Sequence, residues 1–189
     1  MESKFVARRV FYNPIYRDKA TVLKSYDDTG GLYTLGELEV APGGGNTLHI
    51  HTAFEETFTV VRGELGVVLQ NRLYILRPGE SITVPKNTPH HFVNKSNESI
   101  ICHVKFVPGH EDFFKGLAIG YGLASDGKTN SKGVPKKLSH LAMLMVLTDT
   151  KPAGLLMHTF PLFKWLAAKV RKNGTQQLLL EKYYYQKVR

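Results

Sequence analysis

The chain has 189 residues, 42% hydrophobic and 22% charged, which is one domain's worth and enough to bury a core without covalent staples. Charges, prolines or histidines interrupt every run that could supply the roughly 20 consecutive apolar residues of a membrane-spanning helix, and the lone cysteine, Cys102, excludes an intramolecular disulfide scaffold or a cysteine-rich zinc site. The formal net charge of +9 is lopsided: from Lys151 to Arg189 there are eight basic residues and one acid, Glu181.

At the start of the chain, Glu2, Lys4, Arg8 and Arg9 break the region where a secretory signal needs an unbroken apolar stretch, so a cytoplasmic location is expected. From Phe5 to Val107, short segments rich in Val, Ile, Thr, Tyr and Phe alternate with turn signals such as Asn13-Pro14, Pro42-Gly43-Gly44-Gly45, Arg62-Gly63 and Arg77-Pro78-Gly79. Regularly spaced short strands with no helical pattern between them predict a sandwich or barrel. The expected strands are Ala20–Tyr26, Leu32–Val40, Thr47–His51, Glu56–Val61, Glu64–Gln70, Leu73–Leu76, Ser81–Val84, His90–Val93 and Ile100–Val107. After Pro108-Gly109 the period changes. Phe113, Leu117 and Tyr121 recur at helical spacing up to Asp126-Gly127, and two further apolar stretches, Leu138–Leu147 and Gly154–Lys172, predict helices, the last bent near Pro161. Residues 1–109 are thus expected to form a β-barrel with N-terminal strands, and residues 110–189 a helical extension packed on it.

The chemistry concentrates in two stretches. His49 and His51 lie two apart, so on a strand their side chains leave one face with Cα atoms about 7 Å apart, near enough for both imidazoles to reach one metal ion. On the next strand Glu56, Phe58 and Val60 share the apolar face, which sends Glu56 inward and Glu55 to solvent. On a later strand His90, Phe92 and Asn94 share a phase that leaves His91 on the other side, so His90 is the fourth candidate ligand. Phe58, Val60 and Phe92 are the expected apolar walls of a small-molecule pocket, with no inward Lys or Arg beside the ion. Cys102, Val104 and Phe106 read as core.

These residues resemble the two motifs of the cupin superfamily, the double-stranded β-helix or jelly-roll barrel. Gly43, His49, His51, Glu56 and Gly63 fill the first motif, and the spacing to Gly63 also selects Glu56 over Glu55. Gly79, Pro85, His90 and Asn94 fill the second, with Asn87 where the motif has glycine; asparagine best tolerates the positive φ of that turn. The resemblance covers Ala20 to Val107 and implies a mainly β cupin barrel with a C-terminal α-helical extension. It also implies a metal held by His49, His51, Glu56 and His90. Three imidazoles and a carboxylate suit one divalent transition metal, Fe, Mn, Ni, Co or Zn, without choosing among them. Two adjacent open positions on an octahedral ion suit substrate plus dioxygen.

The function expected is that of a metal-dependent enzyme with dioxygenase-like chemistry on a small enol or aromatic substrate, in which Glu56 accepts a substrate proton. The alternatives are a non-catalytic small-molecule or metal-binding cupin or sensor, then a sugar isomerase or DNA-binding regulator. The tail offers no helix pair with a polar recognition helix, so no nucleic acid is expected. A small-molecule ligand and a homodimer are expected partners, and peripheral membrane contact by the basic last helix is the other use for that tail.

Overall fold

A computed structural model describes residues 5–153 and 159–187. In chain order it has β1 (Phe5–Ala7), β2 (Val10–Asn13), β3 (Asp18–Lys24), β4 (Thr34–Val40), β5 (His49–Ile50), β6 (Glu55–Arg62), β7 (Leu65–Leu69), β8 (Arg72–Leu76), β9 (Ser81–Val84), β10 (His90–Val93) and β11 (Ile100–Val107). Then come α1 (Phe113–Ser125), α2 (Leu138–Leu147), β12 (Lys151–Pro152), α3 (Phe160–Lys172), α4 (Thr175–Tyr183) and β13 (Tyr185–Lys187). A six-stranded sheet in the order β2-β3-β4-β11-β6-β9 faces a five-stranded sheet in the order β12-β5-β10-β7-β8, the two-layer arrangement of a jelly roll.

The alternation of side chains builds the inner face. On β4 Thr34, Gly36, Leu38 and Val40 are buried while the residues between them are half-exposed. The register carries that phase across the sheet: Phe58 pairs with Val104, which pairs with Gly36, and Val60 pairs with Cys102, which pairs with Leu38. Phe58, Val60 and Cys102 are 1% exposed or less. Each such aliphatic or aromatic side chain removed from water stabilises the fold by roughly 1.5–3 kcal/mol before the entropy of ordering it is subtracted.

Helix α1 explains why its sequence is apolar on most sides. Phe114, Ala118 and Tyr121 join the barrel core, whereas Ile119 and Leu123 join a second core with Met143, Leu147, Val170 and Leu179 from the other helices. Two glycines allow this close approach. A Cβ at Gly116 would lie 2.6 Å from Thr148 just beyond α2, and one at Gly122 would lie 2.2 Å from the Tyr183 ring of α4.

The chain beyond Gly109 is not only helical. β12 pairs with β5 at the edge of the five-stranded sheet, and β13 returns to pair with β1. The expectation of a helix from Gly154 falls in part on residues 154–158, which lie outside the described residues, as does His158; the observed α3 starts at Phe160. Pro161 does not bend that helix. It occupies the first turn, where a missing N–H has no intrahelical partner to lose. Helix α4 and strands β12 and β13 were not expected, and the N-terminal strands β1 and β2 were expected without bounds: all four strands have four residues or fewer and no alternating run long enough to read, and β12 is a two-residue bridge to β5.

Candidate metal centre

His49 stands at the start of β5, directly opposite His90 at the start of β10. His51 lies just beyond β5, and Glu56 enters from the facing sheet, where its neighbours across the strands are Phe106 and Val84. All four are at most 6% exposed, and one donor atom from each lies within 4.8 Å of all the others. Glu55 points to solvent and His91 is half-exposed, as the two-residue period of a strand requires. The turn before β10 passes through Asn87 at φ 64°, and its N–H donates to the carbonyl of His51 at 2.7 Å. An asparagine thus does the work of a glycine there and braces the loop at a candidate ligand histidine.

The tautomers are set by the backbone. His49 Nδ1 donates to the Thr47 carbonyl at 2.7 Å, His90 Nδ1 to the Thr88 carbonyl at 2.8 Å, and His51 Nδ1 to the Asp149 carbonyl at 3.0 Å. With each Nδ1 committed as a donor, every Nε2 faces inward. His49 Nε2 and His51 Nε2 approach to 3.0 Å, a meeting of two lone pairs that a cation between them would turn to attraction. His90 Nε2 lies 2.8 Å from Glu56 Oε2, and His51 Nε2 lies 3.8 Å from the same oxygen. The donor set therefore fits a divalent metal ion, with each imidazole oriented by a second hydrogen bond as metal-binding histidines are.

The electrostatics agree. Burial pushes the His49 imidazole down to about 3, helped by the charges of His51 and His90, and burial also lowers His51. Both offer lone pairs at neutral pH. Burial is the largest influence on His90 and Glu56 too, but their mutual hydrogen bond and the charges around them together outweigh it, raising the imidazole and lowering the carboxyl. The proton they share is the one a metal ion would replace. Cys102 is buried with its thiol pushed up to about 12 by burial, which makes it core and not a nucleophile.

A cavity of about 300 Å³ opens onto this cluster. Phe58 and Phe92 line it, together with His49, His51 and Glu56. Val60 and His90 do not: Val60 pairs with Cys102 deeper in the barrel, and His90 is 1% exposed. Among the described residues, no Lys or Arg lines the cavity. The opposite wall is helix α1, through Phe113, Phe114, Leu117 and Tyr121. The helical spacing of Phe113, Leu117 and Tyr121 is visible in the sequence, but nothing in it says that this face closes a cavity.

Asp149 is the functional residue that sequence reasoning missed. It follows α2, holds φ 47° and aims its carbonyl at His51. Its carboxylate accepts from the N–H groups of Thr52 at 2.5 Å and Ala53 at 2.6 Å and pairs with Lys151 at 2.9 Å. These contacts clamp the segment after His51 to the helical extension. A lone Asp between a helix and Thr-Lys gives no sign of such a role.

Residues 36–105 match the Cupin domain family model, so this stretch of the chain is a cupin domain, and it carries the buried cluster of potential metal donors. The quercetin 2,3-dioxygenase of Bacillus subtilis (strain 168) is 30% identical over 83 residues, 44% of this chain. The chain spans only 25% of that relative's length. Among solved structures, the polyketide cyclase RemF from Streptomyces resistomycificus is 29% identical with a TM-score of 0.46, covering 56% of this chain and 74% of that one. KdgF from Halomonas sp. is 21% identical with a TM-score of 0.44, covering 50% and 82%. No helix among the described residues is long and apolar enough to cross a membrane.

Proposed function

We propose that His49, His51, Glu56 and His90 hold one divalent transition metal and that the protein is an enzyme of dioxygenase-like chemistry acting on a small aromatic or enolic substrate. The observation that carries this reading is an apolar cavity that ends on His49, His51 and Glu56, members of a buried cluster of three imidazoles and one carboxylate. Phe58, Phe92 and the α1 face exclude water and bind an aromatic ring by burial and edge contacts. Glu56, the one carboxylate in the cluster, takes the proton of an acidic enol or phenol as it binds. When bound, the metal supplies Lewis acidity toward the substrate oxygens and, for a redox-active ion, electron transfer to dioxygen. The dioxygenase relative supports the reaction type over a quarter of its own length. The absence of Lys and Arg from the described cavity lining speaks against a sugar phosphate. On this reading the partner is a small molecule, with a homodimer and a basic tail near anionic lipid as further expectations.

The test is elemental analysis of protein purified without chelator, then oxygen uptake by protein reloaded with each of Fe, Mn, Co, Ni and Zn in the presence of flavonols. About one metal per chain and substrate-dependent oxygen uptake with at least one ion are expected. Flavonol binding without oxygen uptake under any ion would make the protein a non-catalytic binding cupin, and no metal under any loading would remove the reading.

A further inference from the structure

A second polar group stands in the same cavity, at the end away from the cluster. Asp18 opens β3, is 4% exposed and lines the cavity. Tyr121 donates its hydroxyl to Asp18 Oδ2 at 2.6 Å, while Asp18 Oδ1 is buried with no hydrogen-bond partner. A buried carboxylate with an open acceptor site costs stability. Its inward neighbours on β3, Ala20 and Val22, show that the strand packs there with small apolar side chains. Burial pushes the Asp18 carboxyl up to about 6, so at pH 8 it is an ionised acceptor.

Helix α1 gives the spacing between the two polar ends. The Phe113 ring centroid lies 6.2 Å from that of His51, and Tyr121, on Asp18, comes eight residues later on the same helix. At about 1.5 Å per residue the two ends are on the order of 12 Å apart along the wall. Between them the wall is Phe114 and Leu117. No Lys or Arg stands in the described lining to pair with Asp18, and its Oδ1 is left able to accept from a ligand hydroxyl.

We infer that Asp18, held by Tyr121, is a subsite for a ligand hydroxyl, so that the cavity takes an aromatic molecule of two or three rings with metal-binding oxygens at one end and a hydrogen-bond-donating hydroxyl at the other. This rests on the substrate class proposed above and adds to it the polarity of the far end. The barrel motifs select what meets the metal; Asp18 selects what the other end of the molecule must carry.

The test uses full-length, metal-loaded protein without oxygen at pH 8 and three flavonols that differ only at the far ring. Galangin has no substituent there, kaempferol has a hydroxyl and kaempferide has that hydroxyl methylated. Kaempferol should bind at least about tenfold more tightly than kaempferide, the difference expected when a buried acceptor meets a donor or none. In Asp18→Asn, whose amide nitrogen can donate to the methoxy oxygen, the gap should close to about threefold or less, with the parent's metal content retained as the check that the fold is intact. In Tyr121→Phe, which keeps the carboxylate, the gap should persist, so the inference stays testable if the first variant fails to fold. Equal affinities of wild type for kaempferol and kaempferide would overturn the subsite while leaving the aromatic-substrate reading standing. A gap that survives Asp18→Asn would assign the discrimination to the bulk of the methyl group and would also overturn it. Binding of none of the three would overturn both readings.

Discussion

In the barrel, His49, Glu56 and His90 hang from strands whose alternation sends every second side chain inward; in the extension, Phe113, Leu117 and Tyr121 reach the same cavity from one face of a helix. The barrel side is rich in donors and the helical side is nearly all hydrocarbon. Yet the dependence runs across the division. His51, a candidate ligand in the barrel, donates its orienting hydrogen bond to the Asp149 carbonyl of the extension, and Tyr121, a helix residue, donates to Asp18 of the barrel. A site divided this way gets its chemistry from one region and its shape and water exclusion from the other, and neither region contains the whole.

The largest effect that would break this picture is loss of the metal. His51→Ala or His90→Ala should remove essentially all bound metal by elemental analysis, whereas His91→Ala and Glu55→Ala, on the outward phase, should keep it; full occupancy in His51→Ala would overturn the ligand set.

Next comes the barrel wall. Phe58 is fully buried and Thr59 half-exposed. Phe58→Ala should destabilise the fold by about 3–5 kcal/mol in denaturant unfolding, and Thr59→Ala by less than about 1 kcal/mol. Equal tolerance would mean the strand does not carry its wall to the cavity.

Asp18 sharpens the comparison through pH. Its carboxyl sits near 6 in the fold against 3.8 for a free side chain. The folded protein therefore holds this proton to higher pH than the unfolded chain, and stability falls as pH rises through that window. At pH 8 the cost is up to about 3 kcal/mol, so Asp18→Asn should be more stable than the parent there and no more stable at pH 4. A variant less stable at pH 8 would make Asp18 a structural residue.

The smallest effect is the most specific to the division between regions. Asp149→Ala removes the clamp on Thr52, Ala53 and Lys151. It should weaken metal affinity by about tenfold without changing the ligand set. Asp149→Asn, which keeps one acceptor oxygen, should recover part of the loss, and unchanged affinity in Asp149→Ala would show that the backbone carbonyl of residue 149 orients His51 without the carboxylate clamp.

What the amino-acid sequence settled by itself follows from short-range geometry. A strand repeats every two residues whatever surrounds it, so the inward phase of His49, Glu56, Phe58, His90 and Phe92 and the core phase of Cys102, Val104 and Phe106 could be read from neighbours a few positions away. The positive φ at Asn87 was expected from the resemblance, whose motif has glycine at that turn, and asparagine's own sterics allow it. Only the tertiary structure decided that α1 is a cavity wall, that Asp149 bonds a histidine 98 positions earlier and that Tyr121 meets an aspartate 103 positions away. It also decided that Val60 lies too deep to touch the cavity and that α3 is buried through Phe160, Ala167 and Val170 while Leu162 and Trp165 face outward. Each of those contacts depends on how the chain returns to the barrel after β11, and periodicity within a segment carries no record of the segment it will meet.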